Sequence, residues 1–269
     1  MRDTHKSFWL IGVANWLSTI SAIIEREVAT RFSGGSFGHA WAIIIPVSWI
    51  IAITVFFRWL GRDAPIPVET PLFLATGMLP YLVFRQTITS MMRTLRANRH
   101  LVSIGPATSE DFFAATTILE LLNALLVSAT TLFVISLWIG APHIESPLTV
   151  LWGLLLACGI GLSLGRLTAL LSVVSDSAMR LTPIILRPFF WLSGIFFIAA
   201  EVPGWALDWL WFNPLMHSIE LLRSGFFVDF NSTFAQSNVP IIAIVVFYFS
   251  SRLIEAHIDL QPGRGVFSP

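Results

Sequence analysis

The chain has 269 residues, a formal net charge of zero, 55% hydrophobic residues and only 12% charged residues. Soluble domains carry roughly twice that charged fraction, so the composition is that of an integral membrane protein, and a balanced charge leaves no electrostatic footprint for nucleic acid. The single cysteine, Cys158, lies inside an apolar run and excludes an intramolecular disulfide.

Near the start, the apolar patch at 9–13 is short and meets charges rather than a small-residue cleavage site. It does not read as a signal peptide, which predicts that this end stays on the cytoplasmic side. Over 17–33, Leu17, Ile20, Ile24 and Val28 recur at helical spacing, while Ser18, Glu25 and Arg26 fall on the other side. That pattern predicts an amphipathic helix lying in the membrane interface, ended by Gly34 and Gly35. Apolar runs near the bilayer-spanning length then predict an all-α integral membrane fold with six transmembrane helices, at 40–60, 71–92, 112–139, 148–173, 181–200 and 239–253.

An even number of spans places both ends on one side, and the arginines say which. Arg2, Lys6, Arg26 and Arg31 precede the first span, Arg93, Arg96 and Arg99 follow the second, Arg180 lies between the fourth and fifth, and Arg252 and Arg264 close the chain. The other side holds Arg58, Arg62 and Arg223, so both termini are expected to be cytoplasmic.

Two connections are more than linkers. The inner one, 93–111, is polar and basic, with Gly105-Pro106 as a turn and Ser109 as the expected cap of the next helix; it suits a short helix presented to a soluble partner. The outer one, 201–228, is long, aromatic and broken at Asn213-Pro214, which predicts two short re-entrant helices between the fifth and sixth spans. Its tryptophans, Trp205, Trp209 and Trp211, also fit a plain interface belt. In the fourth span Gly153, Ala157, Gly161, Gly165 and Ala169 form a small-residue stripe that lets another helix approach closely, expected to belong to the same chain.

Catalytic signatures are missing. The only lysine is Lys6, so no phosphate-binding loop of the G-x-x-x-x-G-K-[ST] type exists, and no His/Cys cluster suggests a metal. His143 and His217 read as solvated or interfacial side chains. Arg85, Glu120 and Arg166 fall at a common depth of about 10 to 13 Å from the inner surface, which predicts a buried ion-pair set serving either bundle cohesion or transport. Arg180 and Arg187, flanking Pro183, form either a basic cytoplasmic mouth for a polyanion or topology anchors that snorkel. Eleven Trp and 22 Phe add flat apolar faces suited to stacking on sugars, although membrane proteins also use rings as belts and packing.

Four segments, in this order, resemble the permease subunits of type-2 ABC exporters for capsular and related polysaccharides: REVATRFSGGSFGHAWAIIIPV (26–47), FLATGMLPYLVF (73–84), ANRHLVSIGPATSEDFFAATTILE (97–120) and WFNPLMHSIELLRSGFF (211–227). The sequence departs from the family at Ile45, where a carboxylate is usual before Pro46, and at Gly34-Gly35. The resemblance implies a homodimer in the bacterial inner membrane, bound to two copies of a separate cytoplasmic ATPase that carries the ATP and Mg²⁺. Such a complex moves a lipid-linked polysaccharide outward through a conduit between the two copies. It further implies that Glu25, Arg26, Glu27 and Arg31 with Asn98, Arg99 and His100 touch the ATPase. The outer segment, with Trp205, Trp209, Asn213, Pro214, Glu220 and Arg223, would meet a periplasmic co-polymerase and an outer-membrane export protein. Permeases for O-antigen, teichoic acid or a small hydrophobic compound share this architecture. A membrane-embedded glycosyl- or acyltransferase should show a buried acid or histidine pair near a membrane face, and a secondary transporter should show repeated halves; neither pattern is found.

Overall fold

The computed structural model describes residues 16–30, 38–104 and 107–258, and all regular structure among them is helical. Helix α1 covers 16–30, followed by α2 (Gly38–Trp59), α3 (Thr70–Ala97), α4 (Arg99–Ile104), α5 (Ser109–Ile139), α6 (Pro147–Val174), α7 (Ser177–Leu192), α8 (Gly204–Leu210), α9 (Pro214–Phe226) and α10 (Asn238–His257). Three of them, α5, α6 and α10, are long and apolar enough to cross a membrane, and α2 holds a shorter apolar stretch, Ile43–Trp59.

Helix α3, with 28 residues, is about 42 Å long, yet it carries two prolines, several threonines and three arginines. It tolerates them because most of its surface is enclosed by α2, α5, α6 and α9 rather than by lipid. The closest approach in the bundle is between α3 and α6, and the small-residue stripe of α6 makes it possible. A Cβ at Gly161 would sit 2.7 Å from the Phe84 carbonyl oxygen, and one at Gly165 2.7 Å from the Met91 Cβ, both on α3. One at Gly153 would sit 2.8 Å from the Ser218 carbonyl oxygen of α9. The stripe therefore packs inside this chain, and it serves two helices: its lower part faces α3 and its upper part α9.

The connections sort to two ends. The base gathers α1, the end of α3, α4, the start of α5, the end of α6 and the end of α10. The crown gathers the remaining loops with α8 and α9. Two expectations change at these ends. The helix predicted at 181–200 stops at Leu192: Pro183 and Pro188 each remove a backbone donor, and the chain then turns at Gly194 with φ +77°, a conformation that favours glycine. The cap of α5 is Thr108, not Ser109. Its hydroxyl accepts from the Asp111 N–H while Asp111 Oδ2 accepts from the Thr108 N–H at 2.8 Å, a reciprocal capping box.

The break after α7 leaves carbonyls without helical partners, and α9 supplies donors. Arg223 is fully buried, lies 3.9 Å from the centre of the Phe73 ring, and donates to the carbonyls of Gly194 (2.6 Å), Phe197 (3.0 Å) and Ile195 (2.9 Å). Glu220, one turn earlier, accepts from the Ala199 N–H at 3.2 Å. Asn213 accepts from the Leu215 N–H, which caps α9, and donates to the Leu192 carbonyl and the Ser193 hydroxyl. His217, expected at the surface, is buried: its ring stacks on Phe234 at 4.5 Å, Nε2 is 2.8 Å from the Trp211 carbonyl oxygen, and Nδ1 accepts from the Gln236 N–H. The polar residues of the 211–227 motif are thus spent on holding the crown together. Trp205 and Trp209 of α8 remain outside it, 74% and 78% exposed.

Arg223→Gln is expected to lower the unfolding midpoint of the detergent-purified chain sharply, since each buried carbonyl stripped of its donor costs about 1–3 kcal/mol, whereas Trp209→Ala should leave it unchanged. Gly161→Val should likewise destabilise, by roughly 1–3 kcal/mol of overpacking, while Gly204→Ala, with nothing within 4 Å of the added Cβ, should be neutral in the same melt.

Candidate functional site

Along one face of α3, Met78, Tyr81, Leu82, Arg85, Thr89, Met92 and Arg93 recur at three- and four-residue intervals and line a cavity of about 530 Å³ closed by Trp49 of α2 and by α7. From α7 come Thr182, Pro183, Leu186, Arg187, Phe190 and Trp191. Arg85, Arg93 and Arg187 supply three cations, and the described residues lining the cavity include no carboxylate. On the crown side of the cations, one turn before Arg85 on α3 and one turn after Arg187 on α7, four rings cluster: the Phe190 centroid is 5.1 Å from Tyr81, 5.2 Å from Trp191 and 6.4 Å from Trp49 in edge-on arrangements. A guanidinium offers five donors in a planar fork suited to carboxylate and phosphate, and a ring offers an apolar plane that does not demand one register. The arrangement can hold an anionic group beside flat apolar rings. Pro183 and Pro188 lie within the α7 wall, and each lacks the N–H that would bond a carbonyl one turn earlier.

Of the predicted basic mouth, Arg187 is in this groove, whereas Arg180 sits exposed in the first turn of α7, outside the lining. Arg85, predicted in a buried ion-pair set, is exposed into the groove instead. Arg93, not singled out for the mouth, joins it. The signal was legible: Arg85, Thr89 and Arg93 follow one another at i, i+4 and i+8 on one helical face.

The predicted set of Arg85, Glu120 and Arg166 does not assemble. Arg166 is 6% exposed and makes a two-pronged contact with Glu110, at 2.9 and 2.5 Å, and another with Glu255 at 2.6 Å. Depth alone could not have revealed this, because Glu110 belongs to the first turn of α5 and Glu255 to the last turn of α10. Glu120 is buried beside a separate cavity of about 250 Å³, lined also by Ile45, Pro46, Gln86 and Asn123.

At the base, two of the residues assigned to partner contact meet each other. Arg26 of α1 donates to the Asn98 side-chain oxygen at the end of α3 and lies 6.0 Å from the centre of the Phe112 ring, and Asn98 in turn donates to the Thr94 carbonyl at 2.9 Å. Ile20 is packed, Leu17 and Val28 are open, and Glu27 lies 3.9 Å from Arg26. Helix α1 is therefore pinned to α3 by Arg26, a residue that helical spacing had assigned to the polar side. Glu25 and His100 are exposed. Arg31 lies outside the described residues, and for Arg99 only the backbone is described. Nearby, Arg96 bonds the Ser172 carbonyl and Asp176, and this contact holds the Asp176 carboxyl below the usual carboxylate range. Among the described residues no group of His, Cys, Asp and Glu converges to hold a metal ion.

Comparison with known proteins gives the family. The profile of the ABC-2 type transporter family matches residues 18–227. The polysialic acid transport protein KpsM of Escherichia coli is 27% identical over 213 residues, covering 77% of this chain and 80% of the relative. The capsule polysaccharide export inner-membrane protein CtrC of Neisseria meningitidis is 21% identical over 245 residues, covering 87% and 88%. The corresponding BexB of Haemophilus influenzae is 24% identical over 215 residues, covering 78% and 79%. With its apolar spans, its central α3 and α6 pair, and a family match that runs from α1 to the end of the α9 motif, this chain belongs to the ABC-2 type transporter membrane family.

Proposed function

We propose that this chain is the permease of an ATP-driven exporter that moves lipid-linked capsular polysaccharide outward across the bacterial inner membrane. The observation that carries the reading is the groove in which Arg85, Arg93 and Arg187 lie beside a cluster of Trp49, Tyr81, Phe190 and Trp191, in a chain whose relatives are named for capsule export. In this reading α2, α3, α5, α6, α7 and α10 are the six spans, α8 and α9 dip into the outer leaflet, α1 lies on the inner leaflet, and both termini are cytoplasmic. The base is then the cytoplasmic face, and Glu25, Arg26, Glu27, Arg31, Asn98, Arg99 and His100 receive the motor: two copies of a separate ABC ATPase that bind ATP and Mg²⁺.

Two copies of the chain enclose the conduit. Support comes from the open faces of α2 and α7, where Trp49, Phe56, Trp59, Ile184, Ile185 and Trp191 are exposed beside the groove rather than buried in the chain. A second copy there would complete a wall that one bundle leaves open. The polymer's acidic groups pass from one arginine to the next while sugar faces rest on the rings, so no single contact holds the chain too tightly for transit. Arg26 and Asn98 keep α1 against the end of α3, so a push on either one moves α3, which is one wall of the groove. The exposed tryptophans of α8 offer a contact for a periplasmic co-polymerase and outer-membrane channel.

The combined change Arg85→Gln, Arg93→Gln and Arg187→Gln should reduce surface display of an acidic polymer roughly tenfold or more, because a hydrogen bond to a charged group is worth ~1.5–3 kcal/mol, while the permease and ATPase still co-purify. Undiminished display would overturn the groove assignment, and equal display of a neutral polymer by both forms would show that the cations select for acid. Arg26→Ala with Asn98→Ala should weaken co-purification with the ATPase and lower polymer-dependent ATP hydrolysis; unchanged values in both assays would dispose of the α1 contact as a coupling element.

A further inference from the structure

At the base, four charged side chains from three helices form one closed network. Arg166 of α6 holds Glu110 with two prongs and Glu255 with one. Arg252 of α10 bonds Glu110 and, at 2.9 Å, Glu255. The Ser109 hydroxyl donates to the second oxygen of Glu255 at 3.1 Å. Two cations and two anions cancel, so the network holds together with no outside counter-charge. Arg166 also lies 4.6 Å from the centre of the Phe113 ring and 5.4 Å from that of Tyr248.

Its place in the chain matters as much as its strength. Glu110 is in the first turn of α5, fixed there by the Thr108 and Asp111 capping box, and so follows directly on the segment that carries Asn98 and α4. Arg166 is eight residues, about 12 Å, above the end of α6 at Val174. The network thus reaches from the base surface, where the Glu110 and Arg252 side chains are 44% and 47% exposed, to a guanidinium 7% exposed within the bundle. No comparable ionic tie joins the described residues of α7 to α5 or α10; α7 meets the base through Arg96 and Asp176, a pair open to solvent.

We propose that Arg166, Glu110, Glu255 and Arg252 are the joint that makes α5, α6 and α10 move as one body when the segment after α3 is displaced, so that motion is expressed at the groove between α3 and α7. Arg166 is a positioning residue in this scheme: it touches neither substrate nor nucleotide and acts by carrying displacement from the base into the bundle. This rests on the exporter reading above. An ionic joint with a two-pronged guanidinium suits the task because it resists both sliding and rotation, which an apolar contact does not.

The test replaces the ionic tie by a covalent one. In a Cys158→Ala background, Ser109→Cys with Glu255→Cys removes Glu255 from the network and places two thiols where a hydrogen bond had been. Before bridging, export of polymer should fall by roughly 5-fold or more, the scale of a typical coupling free energy, while the complex with the ATPase stays intact and ATP hydrolysis continues. A short bifunctional thiol reagent should then restore export. Normal export before bridging, or no recovery in a bridged and fully assembled complex, overturns the joint. If the double-cysteine chain assembles poorly, Arg166→Lys, which keeps the charge and loses the fork, should show the same separation of hydrolysis from export; parallel loss of both, or of neither, counts against the proposal. A wild-type chain that neither binds an ATPase nor exports polymer overturns the exporter reading and this inference with it, so the two failures are distinct.

Discussion

A guanidinium enclosed on every side, Arg223, is the constraint on which the crown depends. Helix α7 ends at Leu192 and the chain then turns inward through the buried residues 193–196, so the carbonyls of that turn must find donors within the protein. Arg223 supplies them from the next long element of the crown, with the Phe73 ring against it; Asn213 adds a donor to the Leu192 carbonyl, and Glu220 accepts from the Ala199 N–H. With those bonds in place α9 lies against α3 and α6, and α7 is left free to turn its exposed side chains away from the bundle.

The interior then divides by the way charge is handled. At the base, cations meet anions, and Arg166 is matched so closely that it sits deep in the bundle. In the groove, three arginines line one cavity with no carboxylate among its described lining residues, and a cluster of rings lies on their crown side. Matched charge makes a tied seam, and the groove's cations lie instead beside aromatic planes with no carboxylate among the described lining residues. The α3 helix borders both regions: its Gly161-facing side is locked to α6, while its Arg85 and Arg93 side forms the groove wall.

Much of this was legible along the chain. The apolar runs, the break at Asn213-Pro214 and the small-residue stripe all follow from local composition and period, which a bilayer solvent enforces strictly. The groove was half legible. Arg187 stood out between two prolines, and Arg85 and Arg93 share a helical face, but nothing local says that α3 and α7 come side by side. The end of α7 was misread because 193–200 is as apolar as a span; what stops the helix is a glycine turn whose carbonyls are claimed by a residue 29 positions away from Gly194. His217 was misread for a related reason: a histidine between Met216 and Ser218 has no sequence sign that the Trp211 carbonyl and the Gln236 N–H will meet its ring.

The sequence by itself determined that this is an all-helical membrane chain without a phosphate-binding loop of its own, and which stretches are apolar, amphipathic or broken, because those properties depend on neighbours within a few turns. Only the tertiary structure decided the partners of the charges. Depth along separate helices suggested Glu120 for Arg166, but packing brought Glu110 and Glu255, 56 and 89 positions away, to the same guanidinium. A buried charge takes the partner that packing places within reach of its fork, and reach in space is the one quantity a linear chain does not carry.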